Sequence, residues 1–203
     1  MSSESKGASG RIAVILTASL FALLAILIVF AVLALVATLP NIIERSQRSI
    51  YPMKYEDIVM EASEEFSVPP ERIYAVIYAE SSFDKDAESS VGARGLMQIM
   101  PETFDDIQRH MNTEFTYDDL FDPKVNIRAG TYYLSYLYSL LGDWDHTHAA
   151  YNAGIGNVWI WLEDENYTQN GKLTNIPYKE TRNYVKKIEH LREKYMEIYF
   201  SEK

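Results

Sequence analysis

From Ile12 to Leu39 the chain runs for 28 residues without one charged side chain, and most of them are apolar. About 20 such residues are enough for a helix to cross the hydrocarbon of a bilayer. The run is also too long for the short apolar region of a cleavable signal peptide, and no small-residue cleavage site with a charged mature start follows it. It reads as an uncleaved N-terminal anchor, and it divides the rest of the chain. Residues 1–11 form a polar tail expected to be irregular, 12–39 the anchor, 40–54 a juxtamembrane linker reaching Pro52, and 55–203 a single domain. About 160 residues beyond the anchor suffice to bury a real core. Positive charge does not orient the span: Lys6 and Arg11 precede it, and Arg45, Arg48 and Lys54 follow it.

Composition narrows the partners of that domain. Removing Lys6, Arg11 and Glu4 from the chain's 19 basic and 29 acidic residues leaves 17 and 28, a net charge of −11. Such a balance argues against nucleic acid or another polyanion as the main ligand. With no cysteine in the chain there is no disulfide framework, no thiolate metal site and no lipid-modified cysteine. The 15 tyrosines and 3 tryptophans supply aromatic area with polar tips, which suits sugar clefts, although most of the tyrosines are expected to be amphipathic core.

Periodicity then predicts an all-α domain. One helix covers roughly Tyr55 to Phe66, with Ile58, Val59, Ala62 and Phe66 on one side. After the Val68-Pro69-Pro70 break a second begins, with a proline in its first turn and Glu71 at its positive end. A polar loop with Gly92 and Gly95 leads to an apolar run, Gly95 to Pro101, too short for a helix. Pro101 opens a helix that ends near Asn112. Asp122-Pro123 is a strong helix start, and Gly142 a matching stop; the apolar residues between them nearly encircle the helix, which predicts a buried central element. Shorter helices over His146–Asn152 and Asn157–Leu162, a polar stretch with room for one short strand pair, and a last helix from Pro177 to about Phe200 complete the chain.

The chemistry centres on Glu80. Ile73, Val76 and Ile77 form a helical stripe whose next position is this carboxylate instead of another aliphatic side chain. Burial disfavours the charged form, so a glutamate there is expected to stay protonated near neutral pH, as a general acid must. The same pattern fits a buried glutamate held by a structural partner, or a helix end that lifts Glu80 into water. On the last helix Glu180, Tyr184, Ile188, Leu191 and Tyr195 share a stripe, which again puts a carboxylate at the inward end of an apolar face.

Four short motifs occur in order: Glu80-Ser-Ser-Phe83, Gly95-Leu-Met-Gln-Ile-Met-Pro101, Ala150-Tyr-Asn-Ala-Gly154 and Ile176-Pro-Tyr-Lys-Glu-Thr-Arg-Asn-Tyr-Val185. Together they resemble the catalytic domains of soluble lytic murein transglycosylases, and Asp122 to Leu134 resembles that family's central helix. The resemblance covers about residues 55–200. It implies a lysozyme-like, goose-type helical domain that cleaves the β-1,4 bond between N-acetylmuramic acid and N-acetylglucosamine, leaving 1,6-anhydromuramic ends. By motif, Glu80 is then the sole catalytic acid and base, with Ser81 as its neighbour. Gly95, Met97 and Gln98 line the cleft, Tyr151 and Asn152 hold the muramic ring, and Glu180 and Tyr184 complete the floor, where Tyr184 can hydrogen-bond Glu80. One acid suffices because the sugar's acetamido group can take the part of the second carboxylate that ordinary glycosidases need. A muramidase hydrolysing the same bond, in which Glu180 serves as a second carboxylate, and a wall-binding scaffold without turnover are the alternatives. No cofactor is implied, and the partners are peptidoglycan glycan strands and the membrane. Because the substrate lies outside the cell membrane, the amino terminus is expected in the cytoplasm and the domain on the wall side.

Other features are weaker. His146 and His148 stand two apart in a helix and point to different faces, a poor metal pair, and His110 and His190 have no ligand cluster near them in sequence. Asn166-Tyr-Thr168 matches a glycosylation acceptor, relevant only in a eukaryotic secretory pathway.

Overall fold

A computed structural model describes residues 3–201 and divides the chain into two units, 1–50 and 51–203. The first is one helix, α1 (Ser3–Ile50). Most of its large apolar side chains, such as Leu24, Ile28 and Leu35, are more than half exposed, and the helix is long and apolar enough to cross a membrane. The tail expected to be irregular is helical from Ser3 onward, while Met1 and Ser2 lie outside the described residues. Helix also continues beyond Leu39, through Pro40, into the linker as far as Ile50. Once a long apolar helix is nucleated, each added residue gains a hydrogen bond, so polar flanks are drawn in.

Among the described residues the second unit packs seven helices. They are α2 (Glu56–Phe66), α3 (Pro70–Ser81), α4 (Pro101–Met111), α5 (Pro123–Leu141), α6 (Trp144–Ala153), α7 (Ile155–Glu163) and α8 (Lys179–Tyr195). A 3-10 turn over Tyr117–Phe121, a π-helical end over Met196–Phe200 and a two-residue hairpin pairing Thr168–Gln169 with Lys172–Leu173 fill the joints. Among the described residues the domain is all-α apart from that hairpin and the isolated bridges Glu88–Arg94 and Arg94–Ile99.

Local chemistry explains the boundaries. Asp122 accepts from the backbone nitrogens of Lys124 and Val125 at 2.7 and 3.2 Å, and Asp143 does the same for α6. Gly142 ends α5 at φ 66°, a left-handed position that costs glycine nothing. On α5, Ile127, Ala129, Leu134 and Leu137 are buried, but Leu140 is 46% exposed: the helix is central over its first four turns and projects at its end. The α3 stripe of Ile73, Val76 and Ile77 is wholly buried, held between α2 and α8. At the far end of α8, Tyr195 and Tyr199 donate to the carbonyls of Pro52 and Tyr51 at 3.0 and 2.8 Å, fastening the domain's first residues to its last.

Candidate active site

Glu80 sits in the last turn of α3, half-buried, where the helix leaves the core. Its Oε1 accepts the Tyr184 hydroxyl of α8 at 2.6 Å. Burial pushes the carboxyl up from 4.5 to about 7, against the opposing pull of the Tyr184 hydrogen bond and the Lys187 ammonium. The group is therefore shared between its protonated and ionised forms near neutral pH. That is what one residue needs to act first as acid and then as base.

Around it the motifs close into a ring of hydrogen bonds. Ser81 Oγ donates to Leu96 O at 2.8 Å, tying α3 to the Gly95–Pro101 loop. Tyr151 Oη of α6 donates to Met97 O of that loop at 2.9 Å. Asn152 Oδ1 accepts the Thr181 hydroxyl of α8 at 2.8 Å, and Tyr184 on α8 returns to Glu80. Four segments distant in sequence thus meet round one carboxyl, whose hydrogen-bond partner is Tyr184, and the half-buried Tyr151 hydroxyl is pushed up by burial and by the Glu80 charge. Tyr133 of α5 packs its ring on Tyr151 at 5.5 Å and backs the wall.

The backbone here is strained in a revealing way. Ser82, Phe83 and Gln98 all have left-handed φ values, 52°, 67° and 48°, and none is glycine. Each such residue costs of order 1 kcal/mol or more, and such residues concentrate where function requires a particular geometry. Burial of the Phe83 side chain, only 4% exposed, offsets part of that cost.

Three expectations need correction. Met97 is fully buried; its side chain lies on Gly130 of α5 rather than lining the cleft, and it serves the site through its backbone carbonyl. Gly95 is buried too, at φ 75°, and a Cβ there would run into Asn126 Nδ2 and Leu120 O, so its role is close packing. Glu180 is exposed in the first turn of α8, although it stands on the same helix face as Tyr184 one turn on. Gln98 remains half-buried at the loop, with Nε2 donating to Ala87 O and Gly95 O at 3.1 and 3.0 Å, which leaves its carbonyl oxygen as the group to offer a ligand amide.

Asn126 was not picked out from the sequence. Fully buried on α5, it accepts from Met97 N at 2.8 Å and donates to Arg94 O and Leu120 O at 2.9 and 2.8 Å, so it organises the whole loop. Its signal was faint: a single amide one turn inside an otherwise apolar helix. Among the described residues no cluster of three histidines, cysteines or carboxylates could hold a metal, and His146 Nε2 accepts from Leu173 N at 3.1 Å. A cavity of about 530 Å3 lies between α2, α4 and α5, lined by Glu61, Phe104, Ile107, Phe115 and Arg128 among others, and neither Glu80 nor Tyr151 or Tyr184 lines it.

Fold and site together define a lysozyme-like helical domain organised round a single titratable carboxyl. The Transglycosylase SLT domain model matches residues 57–174, more than half the chain, and the chain belongs to that family. It is 35% identical over 147 residues to the soluble lytic murein transglycosylase of Escherichia coli (strain K12), covering 68% of this chain and 22% of that protein. It is 32% identical over 176 residues to membrane-bound lytic murein transglycosylase C of Edwardsiella ictaluri (strain 93-146), covering 71% and 47%. Among solved structures, an inactive glutamate-to-glutamine mutant of the lytic transglycosylase Slt from Pseudomonas aeruginosa matches with TM-score 0.67 at 34% identity, over 72% of this chain and 24% of that one. The 70-kDa soluble lytic transglycosylase in complex with bulgecin A matches with TM-score 0.70 at 30% identity, over 84% and 28%. The chain spans only about a fifth to a half of the length of these relatives.

Proposed function

We propose that this chain is a membrane-anchored lytic transglycosylase of peptidoglycan, with α1 crossing the membrane once, the amino terminus in the cytoplasm and the helical domain on the wall side. The observation that carries it is the half-buried Glu80, raised to about 7 and held by Tyr184 inside the ring of motif residues. Membrane-bound and soluble lytic murein transglycosylases among its relatives support the same reading.

In the first step Glu80 gives its proton to the glycosidic oxygen, the C1–O bond breaks, and the acetamido oxygen of the muramic residue takes the vacated C1. In the second, the Glu80 carboxylate removes the proton of the C6 hydroxyl, and O6 displaces the acetamido oxygen. No water is consumed, Glu80 is regenerated, and no second carboxylate is used. Tyr151, Asn152, Tyr184 and the Gln98 carbonyl are the groups we assign to the sugar.

Purified full-length chain in detergent, given peptidoglycan and followed by mass spectrometry, tests the proposal. Anhydromuramic ends are expected from the wild type and none from Glu80→Gln. New reducing ends would make it a muramidase, and no fragments at all a binding scaffold.

A further inference from the structure

Two side chains of α8, one helical turn apart, close on the same end of α3. Tyr184 donates to Glu80 Oε1 at 2.6 Å, and Lys187 Nζ donates to the carbonyl oxygen of Ala79 at 2.8 Å. Residues three apart share a helix face, so the pair meets consecutive residues of α3. The last turn of a helix has unpaired carbonyls and the negative end of its dipole, which explains why an ammonium is held there. Packing does not ask for it: Lys187 is exposed, as is its neighbour Lys186.

We propose that Lys187 is a positioning residue of the site: its ammonium, tied to α3 beside the acid, supplies the counter-charge for the carboxylate that Glu80 becomes on giving up its proton. The inference rests on the lytic-transglycosylase reading. When the Glu80 O–H bond breaks and the proton passes to the leaving oxygen, a negative charge appears next to Lys187; when the carboxylate takes the C6 hydroxyl proton, that charge is gone. A buried cation would keep Glu80 ionised and prevent the first step. An exposed ammonium, weakened by water and salt, favours the charged state without locking it. The groups acting electrically on Glu80 are Tyr184 and Lys187 of α8, and burial keeps the Tyr184 hydroxyl neutral; Tyr151 of α6, likewise held neutral, feels the Glu80 charge. Among these groups only Lys187 brings a full charge.

The test compares Lys187→Met and Lys187→Arg with wild type, all as full chain in detergent. Lys187→Met should move the high-pH limb of kcat/KM upward by roughly half a pH unit, the size expected of one solvent-screened charge at this range. Added salt should move the wild-type limb the same way and leave Lys187→Met where it is, while Lys187→Arg restores the wild-type profile. Titration of the Glu80 side-chain carboxyl by carbon-13 NMR should show the same displacement without turnover. A Lys187→Met carboxyl that titrates with the wild type overturns the inference, even if activity falls, because the lysine would then be merely structural. A displaced titration in a protein that makes no anhydromuramic ends would uphold the coupling and refute the proposed reaction instead.

Discussion

Tyr184 Oη lies 2.6 Å from Glu80 Oε1, joining residues 104 apart in sequence through one short hydrogen bond. A hydroxyl donor to a carboxylate stabilises the ionised form, so Tyr184 works against the desolvation that raises Glu80. Glu80 lies near neutrality because these two influences oppose each other.

Replacing Tyr184 with Phe removes the donor and leaves the ring. Glu80 should rise further, and the high-pH limb of activity with it, by about one unit, since a hydrogen bond to a charged group contributes roughly 1.5–3 kcal/mol. At pH 7 the protonated fraction that begins the reaction should rise from about one half to about nine-tenths, so a fall in turnover there would report the lost hydrogen bond to the carboxylate formed after proton donation. A loss of activity with an unmoved pH profile would assign Tyr184 to packing alone.

The raised Glu80 also carries a stability signature. A carboxyl at about 7 in the folded state and 4.5 when unfolded binds its proton more tightly folded, so its contribution is fully present below 4.5 and lost as pH rises through 7. Glu80→Gln cannot ionise and should be more stable than wild type above pH 7, by up to roughly 3 kcal/mol, with the difference closing toward pH 4.5. Urea unfolding read from Trp144, Trp159 and Trp161 measures it. Equal stability at pH 8 would show that Glu80 is solvated.

Gly130→Ala sets two effects against each other. In a helix the change gains about 1 kcal/mol of propensity. Here the new Cβ would sit against Sδ, Cβ and Cε of the fully buried Met97, and overpacking a closed core costs about 1–3 kcal/mol. The Met97 Cβ cannot swing aside without the backbone, so the steric effect should win. Because Met97 also holds the Tyr151 hydroxyl, KM for glycan should rise along with the loss of stability, which unfolding and kinetics on the same sample would reveal.

His148 predicts the opposite pH slope. It is fully buried at 5.8 Å from the Trp144 ring, and among the described residues neither ring nitrogen has a hydrogen-bond partner. Burial, and then the nearby Arg72, hold it down from 6.5 to about 3. Its contribution is present above pH 6.5 and lost as pH falls toward 3. Between pH 7.5 and 5 the wild type should lose about 2 kcal/mol relative to His148→Phe. Parallel stability curves for the two proteins would refute this.

Much of the architecture could be read from neighbours along the chain. The Asp122-Pro123 start, the Gly142 stop and the stripe of Ile73, Val76 and Ile77 depend on caps and helical spacing, which act within about four residues. Glu80 stood out for the same reason, as a carboxylate at an apolar position. Glu180 shares the stripe of Tyr184 and Ile188, but it lies in the first turn of α8 and is exposed there; burial at a helix end depends on what packs over it, which spacing along the chain does not encode.

What the linear order of residues determined was the helical domain, the long apolar N-terminal segment and the placing of Glu80 at the end of an apolar stripe, because those follow from periodicity, length and residue type. Only the folded chain decided how Glu80 is held. The Tyr184 donor, the Lys187 ammonium, the Asn126 amide that fixes the Met97 loop and the left-handed turns at Ser82, Phe83 and Gln98 all arise from contacts or backbone angles set by packing. No local pattern encodes a hydrogen bond across 104 residues; it exists because burying the faces of α3 and α8 against each other leaves those two side chains within reach.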